Sequence, residues 1–328
     1  MKVGLLQFFS WPDRSVPLAS VYQRALDRIE VMEHSGYDAV WLAEHHFTGY
    51  SVCPSVHVMA THIAARTKRL RIGTAVTLAA LYHPLRIAEE IALLDVLSGG
   101  RVNWGAGRGF DAKEFSTFGV EPTESAERFR EAVDIVLAAW TQERVNFSGK
   151  YFHFNDVEVL PKPAQVPHPP TWVAATSPDA IAWAASRGLS ILMDPHSTHD
   201  EIGRKRESYA TQLIESGFSM TNRSLPMARL IAIAPTDGQA EEIARRGAQW
   251  TTGSYVKAKS MSGFRADGAD LDPVEHYLNG VIIHGSPARV IDEIQRLRST
   301  MNLDYLMLAP LSERTFQMFT DEVLPHLG

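Results

Sequence analysis

The chain has 328 residues, of which 45% are hydrophobic and 21% are charged, and its formal net charge is −6. This composition is typical of a soluble globular protein, and the lack of a basic excess argues against nucleic acid or an anionic membrane as the main partner, so a small molecule is the default. The single cysteine, Cys53, excludes a disulfide framework and a cysteine-based zinc site. Because the chain shows neither a signal peptide nor a membrane-length apolar run, we expect a cytoplasmic protein.

Short apolar segments alternate with amphipathic segments along the chain, which is the pattern of βα units around a parallel sheet. The predicted strands are residues 2–9, 39–46, 70–78, 102–109, 171–177, 189–195, 227–234 and 305–310. This α/β pattern favours one domain over residues 1–328 with a (β/α)8 TIM-barrel fold. A doubly wound open sheet is the alternative, because the sequence does not reveal whether the last strand pairs with the first.

Several predicted helices have recognisable ends. One begins near Pro84 and ends at Gly99 and Gly100, as expected for proline in a first turn and glycine beyond a last turn. Another begins with Thr198 and Glu201 at the spacing of a capping box. These ends support the α/β assignment.

Two long stretches interrupt the βα alternation. Residues 141–170 contain NFSGKYFHF and a proline-rich return, which predict a hairpin followed by an extended strap after strand 4. Residues 253–284 form a polar, glycine-bearing insertion after strand 7. Loops of this length in a compact domain are commonly lids or disordered segments. We expect the second insertion to order over a bound ligand.

A carboxylate and two imidazoles, Glu44, His45 and His46, stand at the end of the second predicted strand. Three titratable groups are costly in a core, so we expect them at a rim where they meet water or a ligand. Alternation along the strand puts His45 on the face of Trp41 and Ala43, with Glu44 and His46 on the opposite face. Histidine exchanges protons near neutral pH, which suits catalysis. The alternative is that the imidazoles only hydrogen-bond backbone at the rim, and no third ligand at a fitting spacing suggests a metal.

The segment GAGRGF, residues 105–110, ends the fourth predicted strand. Glycines allow backbone to approach a ligand, and the guanidinium of Arg108 suits a phosphate. The segment is not a dinucleotide fingerprint, because Phe110 stands where that motif requires glycine. Pairing of Arg108 with an acidic side chain is the alternative.

Two further strand ends carry weaker signals. Thr176 and Ser177 precede a predicted helix and suit an anion such as a terminal phosphate, although Ser177 is equally explained as an ordinary N-cap. Thr74 and Ala75, at the exit of the third strand, leave room for a flat ligand, although core packing explains them as well.

Together these segments resemble the bacterial luciferase family of flavin-dependent monooxygenases, most closely the α-subunit type. The resemblance covers nearly the whole chain, in family order, through GYDAVWLAEHHFT, TKRLRIGTAV, HPLRIAEEIALLDVLSGGRV, GAGRGF and VAATSPDAIAWAA. It implies a (β/α)8 barrel that uses reduced FMN, supplied by a separate NAD(P)H-dependent flavin reductase. Such an enzyme activates dioxygen as a C4a-peroxyflavin and oxidises a small organic substrate, for example a carbonyl compound. It also implies a homodimer.

The resemblance assigns roles to individual residues. It implies that His45 is the catalytic histidine, with Glu44 and His46 as its partners. It implies that Ala75 and Val76, joined by a non-proline cis peptide, lie beneath the flavin ring. It implies that Ala106, Arg108 and Phe110 line the flavin, with Arg108 on its phosphate. It also implies that Thr176 and Ser177 lie near the phosphate. Where relatives carry a second phosphate-binding arginine this chain has Ala126, and Arg128 is close enough to replace it.

Two other functions are compatible with the same fold. Relatives that use the deazaflavin F420 transfer hydride and do not activate oxygen, and the paired histidines favour the monooxygenase over them. A noncatalytic flavin-binding subunit that supports an active partner is the second alternative, and the intact Glu44–His46 motif argues against it. The substrate itself cannot be deduced from the sequence.

Overall fold

A computed structural model describes residues 1–256 and 272–328. Two compact units account for its contacts, one formed by residues 1–6 with 175–328 and the other by residues 7–174. Residues 257–271, which hold the centre of the predicted lid, lie outside the described residues. The assignment of residues 1–328 to one domain stays a prediction.

Strands and helices alternate through most of the described chain, which confirms the α/β class. The strands are β1 (Lys2–Gln7), β2 (Ala39–Leu42), β3 (Arg71–Thr74), β4 (Thr77–Leu78), β5 (Val102–Gly107), β6 (Arg144–Ser148), β7 (His153–Glu158), β8 (Thr171–Ala174), β9 (Ser190–Leu192), β10 (Met227–Ile233), β11 (Ile283–Gly285) and β12 (Tyr305–Pro310).

The α-helices are α1 (Leu18–His34), α2 (Val56–Arg66), α3 (Pro84–Ser98), α4 (Ala112–Phe118), α5 (Ser125–Thr141), α6 (Pro178–Ser186), α7 (His199–Glu215), α8 (Asp237–Thr251), α9 (Pro273–Gly280), α10 (Pro287–Met301) and α11 (Glu313–Met318). Short 3₁₀ helices cover Pro12–Arg14 and Leu324–His326, and π-helical turns cover Thr252–Val256 and Phe319–Val323. Within the described ranges, no helix is both long and apolar enough to span a membrane.

In the first unit, the last strand pairs with the first. Strand β12 runs parallel to β1, with Lys2 opposite Tyr305 and Leu5 opposite Leu308. Strand β12 also pairs with β10, and β10 pairs with β11. A (β/α)8 barrel requires pairing between its first and last strands, whereas a doubly wound sheet keeps them apart. The β1–β12 pairing is therefore the one that a barrel requires, and it argues against the doubly wound strand order.

In the second unit, β3 pairs with β2 and β5, and β5 also pairs with β4 and β8, all in parallel. The third predicted strand, 70–78, is divided into β3 and β4 by a cis peptide bond between Ala75 and Val76. Strands β6 and β7 form the predicted antiparallel hairpin. Strand β11, in the first unit, was not predicted, because it has only three residues, at the end of the polar insertion, and these give no periodic signal.

The predicted helix ends are confirmed where the sequence marked them. Helix α3 begins at Pro84 and ends at Gly99, whose φ of 71° is the left-handed conformation that glycine adopts without strain. At the start of α7, Thr198 accepts a hydrogen bond from the backbone N–H of Glu201, whose carboxylate accepts one from the N–H of Thr198.

A buried arginine holds the helix-to-strand connection before β5. The guanidinium of Arg101 donates to the carbonyl oxygens of Ser98 at 2.8 Å, Leu70 at 2.7 Å, Ala64 at 3.0 Å and Thr67 at 3.0 Å. It also donates to the hydroxyl of Thr67 at 2.9 Å. A buried carbonyl without a donor costs about 1–3 kcal/mol, so this side chain satisfies groups that would otherwise oppose folding.

Replacing Arg101 with methionine should therefore lower the free energy of unfolding by about 3 kcal/mol or more, because several buried carbonyls lose their donor. Urea denaturation measures the change. Arg86→Met, at a surface arginine that is 67% exposed, is the matched control and should change stability by at most about 0.5 kcal/mol. Equal decreases in the free energy of unfolding for the two variants would show that the hydrogen bonds of Arg101 do not stabilise the fold more than a surface arginine does.

Candidate active site

Glu44, His46 and Tyr82 form a buried hydrogen-bond network where β2 ends. The Nε2 atom of His46 lies 3.0 Å from Oε1 of Glu44, and the hydroxyl of Tyr82 donates to the same oxygen at 2.6 Å. The other oxygen of Glu44 accepts from the backbone N–H of Leu78 in β4 at 3.4 Å. Burial raises the pKa of Tyr82, and the neighbouring Glu44 raises it further, so the phenol stays protonated and remains a donor.

His45 points to a different environment, as strand alternation predicts. Its ring stacks on Phe8 at a centroid distance of 6.3 Å and meets the rings of Tyr50 and Phe110 edge-on, at 5.2 and 6.3 Å. These contacts agree with the predicted placement of His45 on the face opposite Glu44 and His46. Three aromatic rings around one imidazole favour a water-poor, ligand-facing position over a rim position that only serves the backbone.

Glu114, near the start of α4, lies against both histidines. Its Oε1 accepts a hydrogen bond from the backbone N–H of His46 at 2.9 Å and lies 3.9 Å from Nδ1 of His45. The side chain is 3% exposed. Burial raises the pKa of Glu114 from 4.5 to about 7, and the nearby carboxylates of Asp111 and Glu44 add to the rise, while the hydrogen bond from His46 opposes it. Glu114 thus titrates in the range in which histidine normally does.

Small residues pack against one another where β4 pairs with β5. The cis bond between Ala75 and Val76 occurs at the pair for which the resemblance implied one. Thr77 stands opposite Ala106 in the β4–β5 pairing, and a Cβ on Gly107 would overlap the side chain of Val76. The absence of side-chain bulk on this stretch of β5 therefore lets the cis segment pack directly against it.

Arg108 and Arg128 both lie at the beginning of α5. Nη1 of Arg108 lies 3.5 Å from Oγ of Ser125, the first residue of that helix. Arg128 follows Ser125 by three positions, which places it on the same face of the helix. Its guanidinium lies 3.9 Å from the Glu124 carboxylate and over the rings of Tyr151 and Phe152.

The remaining predicted residues, Thr176 and Ser177, belong to the first unit. Ser177 is the N-cap of α6, where its hydroxyl accepts from the N–H of Ala180 at 3.3 Å. Ser177 therefore has the ordinary N-cap role that was the alternative to phosphate binding. A role for Thr176 and Ser177 at a phosphate stays a prediction.

A second buried polar network lies in the first unit and was not foreseen. The carboxylate of Asp194 accepts from the backbone N–H groups of His196 and Ser197 and from Nζ of Lys205 at 3.1 Å. Nδ1 of His196 lies 2.8 Å from the hydroxyl of Tyr277 in α9. Burial lowers the pKa of His196 to about 4, so the ring is neutral and fixes α9 through a neutral hydrogen bond.

A model described as luciferase-like monooxygenase matches residues 1–302 of the chain. The chain belongs to this family. It is 40% identical over 174 residues to protein y4wF of Sinorhizobium fredii, a match that covers 53% of this chain and 51% of y4wF. A second match, to y4vJ of the same organism, covers 52% of that protein, so the chain spans about half the length of these two relatives.

A luciferase subunit matches over a longer range. The chain is 29% identical over 241 residues to the alkanal monooxygenase alpha chain of the Kryptophanaron alfredi symbiont, with 74% of this chain and 68% of the relative covered. This finding confirms the resemblance to the α-subunit type.

Solved structures confirm the luciferase-like TIM-barrel fold. Monooxygenase RslO1 from Streptomyces bottropensis has a TM-score of 0.85 and 26% identity, with 100% of both chains covered. The oxygenating constituent of 3,6-diketocamphane monooxygenase from Pseudomonas putida, solved in complex with FMN, has a TM-score of 0.82 and 21% identity over 99% of this chain and 98% of that one.

Sequence reasoning missed four residues that contact Glu44, His45 or His46: Phe8, Tyr50, Tyr82 and Glu114. Glu114 follows Asp111 by three positions, a spacing that resembles an N-terminal capping pair and therefore suggests an exposed role. Asp111 is indeed the N-cap, since its carboxylate accepts from the N–H of Lys113, but Glu114 turns inward to the histidines. The other three residues carry no local signal, because their roles depend on contacts between distant segments.

The raised pKa of Glu114 gives a pH-dependent contribution to stability. Between about pH 4.5 and 7 the folded chain keeps a proton that the unfolded chain has released, so this residue contributes less and less stability as pH rises through that window. Glu114→Gln removes the titration but keeps an oxygen that accepts from His46. We expect the difference in melting temperature, variant minus wild type, to increase from pH 5 to pH 8.

Thermal denaturation at several pH values measures this difference. Glu89→Gln, at a side chain that is 45% exposed, is the matched control and should give a difference that is independent of pH. A flat difference for Glu114→Gln would contradict the raised pKa.

Proposed function

We propose that the chain is the oxygenase component of a two-component FMN-dependent monooxygenase. It would take reduced FMN from a separate NAD(P)H-dependent reductase and use dioxygen to oxidise a small organic substrate, with carbonyl compounds as the first class to examine. The observation that carries the proposal is His45, an imidazole that contacts the rings of Phe8, Tyr50 and Phe110 in the same unit as the cis-linked pair Ala75 and Val76.

The residues present fit FMN in both of its parts. A planar apolar ring suits Ala75 and Val76, which are half-buried and have small side chains, with the fully buried Ala106 behind them opposite Thr77. A phosphate suits the guanidinium groups of Arg108 and Arg128, which make charge-assisted hydrogen bonds to anions. Phe110 connects the two parts of this candidate site. It follows Arg108 by two positions, and its ring contacts that of His45.

Reduced FMN, when bound, supplies the electrons with which dioxygen is activated. The chain's own residues would control protons and water around that chemistry. Nδ1 of His45 lies 3.9 Å from Oε1 of Glu114, which would help to orient the imidazole while its ring exchanges a proton with the bound molecules. Glu44 holds His46, and the aromatic rings around His45 exclude water that would divert the oxidation.

Relatives support this assignment by what their names state. One is an alkanal monooxygenase alpha chain, and a structure of the same fold is the oxygenating constituent of a diketocamphane monooxygenase with FMN bound. The first acts on an aldehyde and the second on a ketone by name, which is why carbonyl compounds come first. Because the second protein is the oxygenating constituent of its enzyme, it also supports a separate reductase.

The full chain, mixed with FMN, NADH, a general flavin reductase and ¹⁸O-labelled dioxygen, tests the function directly. A panel of aliphatic aldehydes and cyclic ketones serves as substrate, and mass spectrometry of the products detects one labelled oxygen atom per product molecule. Label in a product, dependent on the chain, supports the proposal. Substrate reduction with reduced F420 in the absence of oxygen, and no label with FMN, would instead assign hydride transfer.

His45→Ala should reduce turnover of any substrate found by about 10²- to 10⁴-fold, because a positioned proton donor or acceptor contributes that much. Affinity for FMN, measured by quenching of flavin fluorescence, should change little. His62→Ala, at an exposed histidine of α2, is the matched control and should keep full turnover. Unchanged turnover in His45→Ala would remove that residue from the mechanism.

Arg108→Ala should weaken binding of FMN by about tenfold or more, because it deletes a charge-assisted hydrogen bond of about 1.5–3 kcal/mol. Binding of riboflavin, which lacks the phosphate, should hardly change. Titration of both ligands measures the ratio. Equal losses for the two ligands would place Arg108 away from the phosphate.

A further inference from the structure

The turn of the β6–β7 hairpin is fixed to helix α5 by two carboxylates. Glu131 accepts hydrogen bonds from the consecutive backbone N–H groups of Lys150 at 2.6 Å, Tyr151 at 3.1 Å and Phe152 at 3.2 Å. Glu127, one turn earlier, accepts from Nζ of Lys150 at 2.7 Å and from the hydroxyl of Tyr151 at 3.1 Å. These hydrogen bonds fix the turn to the helix. The aromatic rings of Tyr151 and Phe152 therefore have a defined position over α5.

Those two rings hold the side chain of Arg128. The central carbon of its guanidinium lies 5.1 Å from the ring centre of Tyr151 and 5.5 Å from that of Phe152, within the range of cation–π attraction. The Nε atom is buried without a hydrogen-bond partner, and the Glu124 carboxylate, at 3.9 Å, is 42% exposed and makes only a loose pair. Cation–π attraction to a ring uses none of the guanidinium N–H groups, so these contacts leave them able to donate to an anion.

The same face of α5 carries the contact with Arg108. Ser125, three positions before Arg128, lies 3.5 Å from the Arg108 guanidinium. Two arginines from different segments therefore converge on the first turn of one helix. Arg108 comes from the end of β5, and Arg128 owes its position to a hairpin that lies more than twenty residues further along the chain.

We infer that the β6–β7 hairpin is a positioning element of the cofactor's phosphate site, in which Tyr151 and Phe152 hold Arg128 beside Arg108 so that both guanidinium groups receive the phosphate of FMN. This inference rests on the proposed function. It gives the insertion of residues 141–170 a role in ligand selection. It also explains how the chain recognises a phosphate although Ala126 stands where relatives have an arginine.

Binding of FMN and of riboflavin to the full chain, measured by fluorescence titration, tests the inference. Arg128→Ala should raise the FMN dissociation constant by about tenfold and leave that of riboflavin unchanged. Tyr151→Leu, which removes the ring that holds the guanidinium, should raise the FMN constant by about threefold or more, again without an effect on riboflavin. Arg128→Lys should recover part of the affinity, because the charge remains but the planar fork is lost.

Two variants serve as matched controls. Tyr151→Phe loses the hydroxyl bond to Glu127 but keeps the ring, so it should bind FMN nearly as the wild type does. Arg144→Ala removes an arginine from the same hairpin, at an exposed pair with Asp156, and should leave FMN binding unchanged. The melting temperature of each variant shows whether it is folded.

The outcomes separate the inference from the proposed function. Loss of FMN affinity in Arg108→Ala alone, with Arg128→Ala and Tyr151→Leu unchanged, would overturn the role of the hairpin and leave the FMN assignment standing. Parallel loss of FMN and riboflavin in Arg128→Ala or Tyr151→Leu would show a general effect on the fold and also overturn the inference. No preference for FMN over riboflavin in the wild type would overturn both.

Discussion

The site depends on the alternation of side chains in the extended segment that leaves β2. Successive residues of an extended chain point to opposite sides, so His45 cannot share the environment of Glu44 and His46. Glu44 and His46 meet each other at 3.0 Å in a buried network, whereas His45 meets three aromatic rings. One short motif therefore supplies a buried hydrogen-bond network on one side and an imidazole packed among aromatic rings on the other.

Buried carboxylates connect these groups to the rest of the second unit. Glu44 links β2 to β4 through the N–H of Leu78 and to the segment before α3 through Tyr82. Glu114 links α4 to both histidines. A buried carboxylate is costly unless donors surround it, so each of these residues requires several segments to be correctly placed at once. A displacement of any one of these segments would therefore disturb the site.

Much of the fold was predictable because its signals are local. The apolar runs, the Pro84 and Gly99 ends of α3 and the capping box at Thr198 each depend on a few neighbouring residues, and the structure contains all of them. Residues 39–42 predicted a buried strand, which β2 confirms. The rim expected for the polar side chains after it is wrong for Glu44, whose side chain is 1% exposed, although the sequence did single out the motif from Glu44 to His46.

What the sequence did not reveal depends on contacts between distant segments. Glu114 has the sequence spacing of a surface capping residue, and only the path of α4 brings it to the histidines. Tyr151 and Phe152 appear as ordinary residues of a hairpin until Glu131 places them over Arg128. Strand β11 is too short for any periodicity to show. Each of these features is set by tertiary packing, which local pattern does not encode.

A crystal structure of the full chain with FMN is the most direct test of the central claim that Ala75, Val76, His45 and the two arginines form one flavin site. We predict that the flavin ring lies against Ala75 and Val76 with His45 at its edge, and that the phosphate accepts hydrogen bonds from both Arg108 and Arg128. A flavin bound elsewhere, or a phosphate that contacts neither arginine, would contradict the account.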